Sequence, residues 1–563
     1  MLKRTGAQII IHLLERQGIR IVAGIPGGAN LPLYDALSQS DSIRHVLARH
    51  EQGAGFIAQG MARASGHPAV CLASSGPGVT NLLTAVADAK LDSVPLICIT
   101  GQVPVAMMGT DAFQEIDAYG LSVPITKHNF LVRSAGELLE VIPDAFRIAT
   151  SGRPGPVLID VPKDVQNQGV EFAGWPEPGS PEPSADFDLA AVKRAADLIN
   201  AARRPILYVG GGVIHSEAGR RVICLAEKAA IPTTMTLMGL GVMPVDHPLA
   251  LGMLGMHAAR YTNLALEECD LLIAAGVRFD DRATGKAAAF CPNAKIVHID
   301  IDESEIGKIK TAHVGITGDV GTVLESLLPM VEPNFRCEWL TQVARLKQHY
   351  PLLTPGAEDL HTPYGVILQA ASLLDGETII TSDVGQHQMW TAQVYPFRRP
   401  RQWLTSGGLG TMGFGLPAAI GAALACPERT VVCFSGDGSL LMNLQELATA
   451  VEQKVNVKIV LMNNNSLGLV HQQQELFYGR RIYASAYESR VDFAKIAHGF
   501  GMSAYDLANS KEPAETLAHA FRERGPCLIN APIDVREKVY PMVPPGAANK
   551  DMIGGETYAA SRA

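Results

Sequence analysis

The stretch Val431-Val432-Cys433-Phe434-Ser435-Gly436-Asp437-Gly438-Ser439 constrains this chain most. It runs apolar and β-branched, then breaks into Gly-Asp-Gly. A second such run, Val457-Lys458-Ile459-Val460-Leu461-Met462, ends in Asn463-Asn464. Apolar runs that finish in polar residues read as buried parallel strands delivering a site at their carboxyl ends. Between them, residues 440–452 space their apolar side chains helically, which predicts strand–helix–strand. Asp437 and Asn464 then stand at the ends of two strands, where open α/β sheets bind ligands. One carboxylate and one amide oxygen, with room for water and phosphate oxygens, suit a hard octahedral cation such as Mg²⁺. Gly436 and Gly438 let the backbone approach a diphosphate, and the following helix is expected to offer its N-terminus to that anion.

A lone Gly-Asp-Gly is most simply a tight turn, and a double Asn a loop. Here 24 residues lie between Gly438 and Asn463, and both motifs follow strands. That spacing resembles the signature of thiamine diphosphate (ThDP) enzymes, where context gives the motif its weight. Far upstream, Arg49-His50-Glu51-Gln52-Gly53-Ala54 closes a predicted strand at 43–47 and opens a helix. Alone, Glu51 reads as a first-turn acid favoured by the helix dipole. Beside a ThDP site it gains a second use. ThDP chemistry needs a carboxyl group on the pyrimidine N1′, which favours the imino tautomer that removes the thiazolium C2 proton.

A length of 563 residues suggests three or four domains. With 47% hydrophobic and 18% charged residues, the composition is that of an ordinary globular protein. A net charge of −9 without a basic block argues against a nucleic-acid partner. The nine cysteines are scattered with no CxxC, so they read as small core residues in a reducing compartment. The N-terminus enters a helical pattern without signal or transit character, and no run of 18 apolar residues suggests a membrane span. The expected location is cytoplasmic.

The fold class read from the alternation of strands and helices is α/β, with three doubly wound parallel-sheet domains. The expected divisions are a first domain at 1–165, a Pro- and Gly-rich linker at 166–186, a middle domain at 187–335, a second linker at 336–361, a third domain at 362–545 and a mobile tail at 546–563. The first and third domains have similar lengths and alternation, so they read as related. In the middle domain, Gly210-Gly211-Gly212 and Gly276 follow strands, and Asp300 ends another. That suits a nucleotide. This domain has no GxGxxG, and a plain structural domain is equally open.

Several long motifs complete the reading: Gly24-Ile25-Pro26-Gly27-Gly28, His50-Glu51-Gln52-Gly53-Ala54, Gly109-Thr110-Asp111-Ala112-Phe113-Gln114-Glu115, Arg153-Pro154-Gly155-Pro156, Gly255-Met256-His257, Arg278-Phe279-Asp280-Asp281-Arg282 and Gly385-Gln386-His387-Gln388-Met389-Trp390. In this order, with the GDG/NN pair, they closely resemble the catalytic large subunit of acetohydroxyacid synthase, or acetolactate synthase, and most its bacterial isozyme I type. The resemblance spans about Gly6 to Ala548.

It implies a pyrimidine-binding first domain, a central FAD-binding domain and a diphosphate-binding third domain. Each active site forms between the first domain of one subunit and the third of another. The assembly is then a homodimer or homotetramer that also takes a small regulatory subunit. Glu51 activates ThDP. Gln386, His387, Gly438 and Ser439 lie along the diphosphate, and Gly410 and Met412 hold the pyrimidine in a bent coenzyme. Asp437, Asn464 and a backbone carbonyl near Ser466 bind Mg²⁺. Arg153, Gly210, Gly211, Gly212, His257, Gly276, Arg278, Asp300 and Asp319 match flavin contacts. Gln114, Lys163 and Arg282 join Glu51 in the catalytic set, with Arg282 gripping the acceptor carboxylate. Gly28, Phe113 and Gln473 line the substrate path.

The implied reaction decarboxylates pyruvate and joins the two-carbon unit to a second 2-ketoacid. Pyruvate gives 2-acetolactate and 2-ketobutyrate gives 2-aceto-2-hydroxybutyrate, on the route to valine, leucine and isoleucine. One departure is informative. Gln473 stands where many members carry Trp, and neighbouring Leu467 and Leu469 differ as well, which weakens the expected preference for 2-ketobutyrate. A pyruvate oxidase or another ThDP-dependent 2-ketoacid decarboxylase shares Glu51 and the GDG/NN pair and is the alternative.

Overall fold

In the computed structural model, which describes residues 1–554, the repeated strand–helix pattern forms three sheets of six strands. All strand pairs within them are parallel. The first sheet runs, edge to edge, Arg44–Leu47, Ile21–Gly24, Ala69–Ala73, Leu96–Gln102, Val157–Pro162, His128–Leu131. The third runs Trp403–Thr405, Ile379–Ser382, Val431–Gly436, Val457–Asn463, Cys527–Pro532, Ser503–Asp506. Numbered along the chain within each domain, both orders are 2-1-3-4-6-5, so the two domains share one topology. Their central strands, such as Leu96–Gln102 and Val431–Gly436, are buried at every residue. Helices cover both faces, which is why these strands read as unbroken apolar runs.

The middle sheet runs Ala250–Met253, Thr233–Met235, Pro205–Val209, Leu271–Ala275, Lys295–Asp300, Val314–Thr317. Its internal order is 3-2-1-4-5-6, the doubly wound arrangement that binds dinucleotides where the order reverses. That reversal lies between Pro205–Val209 and Leu271–Ala275, the strands that deliver Gly210 and Gly276.

Several local expectations need correction. The helix expected over 440–452 is broken: one turn, Asp437–Leu440, is followed by bends and then by Glu446–Gln453. Asn443 lies in the break, with its amide nitrogen 2.7 Å from the Gly413 carbonyl and 3.1 Å from Gln52 Oε1. Tertiary bonds there outweigh helical spacing. The expected linker at 336–361 carries the helix Cys337–His349. Its Trp339 and Val343 are buried in the middle domain's core, and the indole donates to the Pro205 carbonyl at 3.0 Å. The linker at 166–186 begins with the end of the helix Lys163–Asn167 and contains Gly169–Phe172, which pairs antiparallel with Leu2–Thr5. In the expected mobile tail, Ala548, Asn549 and Met552 are buried, and Met542 pairs with Ile553. The rest of that segment, 555–563, lies outside the described residues. All nine cysteines are free; six are buried, while Cys224 and Cys337 are exposed.

Within one chain the first and third domains meet through two helices, Glu51–Ser65 and Gly415–Ala425. A Cβ on Gly60 would overlap the Ala418 carbonyl, and one on Gly421 the Ile57 carbonyl. Only glycine lets the two backbones approach this closely.

Candidate active site

The first sheet gathers its functional residues at one edge because all its strands run the same way. Gly27 and Gly28 follow Ile21–Gly24, Glu51 follows Arg44–Leu47, Gly76 to Gly78 follow Ala69–Ala73, and Lys163 follows Val157–Pro162. Glu51 opens the helix Glu51–Ser65, with His50 as N-cap accepting from the Gln52 amide at 3.1 Å. Its carboxylate accepts a 3.0 Å hydrogen bond from the Asn81 amide. Gly78 lies beside it; a Cβ there would sit 3.6 Å from Glu51 Oε1. Gly76, at φ +57°, packs against the backbone of Gln114, itself left-handed at φ +59°. Phe113 is 88% exposed on this loop. Gly27 packs on Ser74, while Gly28 has open space beyond it.

The third sheet does the same for the opposite half. Asp437 is buried at the end of Val431–Gly436, where its carboxylate accepts from the Gly438 amide at 2.7 Å and the Ser466 amide at 3.2 Å. Burial still pushes its pKa up to about 6. Asn464 follows Val457–Asn463 and donates its amide nitrogen to Gln386 Oε1 at 3.1 Å, so its amide oxygen is the atom that could serve a cation. Asn463 instead bonds Asn530 at 3.1 Å, so only the second Asn of the pair faces the site. Among the described residues no group of three or more His, Cys, Asp or Glu could hold a metal. The set here is one carboxylate with amide and carbonyl oxygens, the hard donors that Mg²⁺ takes together with phosphate and water.

His387 has an unpartnered polar atom in this half. It is buried, its Nε2 has no partner, and burial pushes its pKa down to about 3. A Cβ on Gly385 or Gly436 would come within 2.8 Å of its ring. The two glycines let the imidazole pack against the backbone beside the diphosphate-binding strand end, and a polyanion bound nearby would raise that pKa again. Ser439 donates to the Val384 carbonyl at 2.9 Å. Gly410, at φ +71°, and Met412 lie on the glycine-rich loop, and the Met412 Cε faces Gly438. Gln473 is half-buried on the helix Gly468–Phe477.

In the middle domain, Gly210 and Gly212 pack on Gly276, and the Gly212 amide donates to the Gly276 carbonyl at 3.2 Å. Glycine here lets the backbones meet closely at the order reversal, with Gly211 beside them. Asp300 ends Lys295–Asp300, with its pKa pushed up to about 6 by burial. His257 is buried with Nδ1 3.3 Å from the Pro541 carbonyl. Arg278 is half-buried, just beyond Gly276. Two expected contacts are used otherwise. Asp319 caps the helix Val320–Leu327 through the Thr322 amide at 3.0 Å. Arg153 pairs with Asp302 at 3.1 Å and Glu305 at 2.8 Å, joining the first domain to the middle one. Arg282 is two-thirds exposed, with a guanidinium nitrogen 3.8 Å from Met256 Sδ.

Sequence reasoning missed the groups that hold these residues. Asp383 accepts from the Gly413 amide and the Ser435 hydroxyl, both at 2.8 Å, tying the glycine-rich loop to the GDG strand. Asp92 accepts from the Gly407 and Gly408 amides at 3.0 and 2.7 Å, while Arg63 bonds both Asp88 and Asp92. Tyr487 puts its hydroxyl against Gly438. Asp88 lies on the helix Pro77–Leu91 and Asp92 just past its end, with no motif around them, so only their distant partners reveal them.

Three family models match in order: the thiamine pyrophosphate enzyme N-terminal TPP binding domain at 4–121, the central domain at 192–327 and the C-terminal TPP binding domain at 383–531. The fold and these matches define a thiamine pyrophosphate enzyme. The chain is 62% identical over 550 residues to the acetolactate synthase isozyme 1 large subunit of Escherichia coli K12, covering 98% of each. It is 44% identical to the isozyme 2 large subunit of that organism, covering 97% of this chain and 99% of that one. To the chloroplastic acetolactate synthase of Arabidopsis thaliana it is 46% identical, covering 98% and 84%. The chain belongs to the acetolactate synthase large-subunit family.

Proposed function

We propose that this chain decarboxylates pyruvate and joins the two-carbon unit to a second 2-ketoacid, forming 2-acetolactate or 2-aceto-2-hydroxybutyrate for branched-chain amino acid synthesis. The observation that carries the reading is the pair of half-sites. A carboxylate opens a helix in the first domain, and an Asp437–Asn464–His387 anion and cation cradle fills the third. When bound, ThDP would supply the carbanion chemistry that 2-ketoacid decarboxylation needs.

The protein's own residues do the rest. Glu51, oriented by Asn81, holds the proton at the pyrimidine nitrogen. Asp437, Asn464 and a carbonyl near Ser466 would hold Mg²⁺, and Gln386, His387, Gly438 and Ser439 would hold the diphosphate. Gly410 and Met412 fix the pyrimidine's orientation. Gln114, Lys163 and Arg282 orient the acceptor, whose carboxylate a guanidinium grips bidentately, and Gly28, Phe113 and Gln473 shape its path. Gly210 to Gly212 and Gly276 would hold FAD, with His257, Arg278 and Asp300 beside them; Arg153 and Asp319 would reach it only by giving up their present bonds.

Each site combines the first domain of one copy with the third domain of another, Glu51 bonding Asn81 in the one and Asp437 the Gly438 and Ser466 amides in the other. Exposed Phe113, Tyr119 and Leu121 beside the first half, and Leu409 and Met442 beside the second, give the copies apolar faces to bury. The proposed assembly is a homodimer or homotetramer with a small regulatory subunit, in the cytoplasm. The relatives' name "large subunit" supports the smaller partner. Among the described residues no helix is long and apolar enough to cross a membrane.

Pyruvate, ThDP and Mg²⁺ given to the purified chain should yield 2-acetolactate. Acetate with flavin reduction, or free acetaldehyde, as the main product would point instead to the oxidase or decarboxylase reading. Glu51→Gln should lower kcat by about 10²-fold or more at saturating ThDP.

A further inference from the structure

The boundary between the first and third domains of one chain touches the backbone just ahead of Glu51. Glu446 begins the helix Glu446–Gln453 of the third domain and is fully buried. Its Oε1 accepts from the amides of Arg49 at 2.9 Å and His50 at 3.1 Å. Its Oε2 accepts from the Thr449 hydroxyl at 2.7 Å, which fixes the carboxylate from behind. Gly53, in the first turn of the Glu51 helix, packs on the same group; a Cβ there would overlap Glu446 Oε1. Two further contacts brace this helix against the strand–helix junction. Glu452 pairs with Arg49 at 2.5 Å, and Gln453 bonds Arg44. Asn443, three residues before Glu446, donates to Gln52 Oε1 on one side and to the Gly413 carbonyl on the other.

We infer that Glu446 is a positioning residue for Glu51: a carboxylate lent by the third domain that fixes the two peptide units leading into the catalytic turn. The inference rests on the role proposed for Glu51 and adds what sets that residue's place. The Arg49 and His50 amides precede the helix, so no helical carbonyl lies in line to accept them. Without a buried acceptor they must find water or move, and Glu51 moves with them. A shift of about 1 Å at a catalytic group costs about 10²-fold in rate.

The arrangement has a further consequence. Asn443 connects the Glu51 helix to the loop that carries Gly410 and Met412. In a dimer whose sites each combine the first domain of one chain with the third of the other, this connection runs from one site to the other. The acid of one site and the coenzyme loop of the second are then set by a single boundary inside each chain.

Three substitutions separate reach from charge. Glu446→Gln keeps an oxygen in place and loses the charge. Glu446→Asp keeps the charge and withdraws the oxygen by one methylene, and Glu446→Ala removes both. Amide hydrogen exchange on the full chain, without added coenzyme, should show faster exchange at Arg49 and His50 in the Asp and Ala variants only. In the same two variants, kcat for 2-acetolactate should fall by about tenfold or more while the affinity for Mg²⁺–ThDP stays within about twofold. Glu446→Gln should retain wild-type exchange and most of kcat.

The inference is overturned if the Asp variant exposes both amides yet keeps its kcat, or if Gln and Asp lower kcat equally. It is also overturned if kcat falls only as far as the folded fraction measured by circular dichroism. Glu51→Gln separates the two levels. Full activity in that variant would remove the role proposed for Glu51, whereas an inactive Glu51→Gln beside a fully active Glu446→Asp would remove only the clamp.

Discussion

At the scale of single residues, burial sets the chemistry. Asp437 needs a negative charge to hold a cation, yet burial pushes its pKa from an ordinary 3.8 to about 6. A carboxyl group with a raised folded pKa favours the fold while protonated. That contribution is present below about 3.8 and is lost as pH rises through about 6, a change of about 3 kcal/mol without metal. Protons and Mg²⁺ therefore compete. Calorimetric titration with Mg²⁺–ThDP should show affinity falling about tenfold per pH unit below about 6, and Asp437→Asn should flatten that slope. Gln473 governs a different choice. Gln473→Trp should add contact with the extra methyl of 2-ketobutyrate, by about 1–3 kcal/mol, read as a shift in product ratio when both acceptors compete. Glu51, Asp437 and Asn464 could be named from the sequence because their motifs occur together, in order and at strand ends, although each alone reads as a turn, a loop or a first-turn acid. Glu446 and Asp92 could not, since their partners lie hundreds of residues away along the chain.

At the scale of elements, the strands were legible and the helices less so. Pro205–Val209 and Leu271–Ala275 stand out in the sequence because a strand buried on both faces has nothing but apolar residues to show. The helix expected over 440–452 failed because periodicity cannot register Asn443's bonds to Gln52 and Gly413. Nor does periodicity reveal the contact between Glu51–Ser65 and Gly415–Ala425. Gly60 and Gly421 look like weak points in helices, yet each faces a backbone carbonyl that cannot move aside. Gly60→Ala should destabilise the chain by about 1–3 kcal/mol, seen as a lower midpoint in denaturant, and should lower activity by tilting the Glu51 helix.

At the scale of the whole molecule, the half-sites make a prediction that a single-chain site does not. Glu51→Gln and Asp437→Ala should each be inactive alone. Unfolded together and refolded as a mixture, they should regain up to about a quarter of wild-type activity, since half the dimers are hybrids with one intact site each. No recovery would place both groups in one chain.

Read by itself, the sequence determined the three α/β domains, the kinship of the first and third, and the chemistry at the strand ends. Those features rest on local patterns of burial and on short motifs. Only the tertiary structure decided the 3-2-1-4-5-6 order of the middle sheet, the incorporation of Cys337–His349 into its core, and the buried carboxylates that brace each half-site. These depend on which distant residues meet. A buried acceptor and the amide it satisfies leave no periodic trace along the chain.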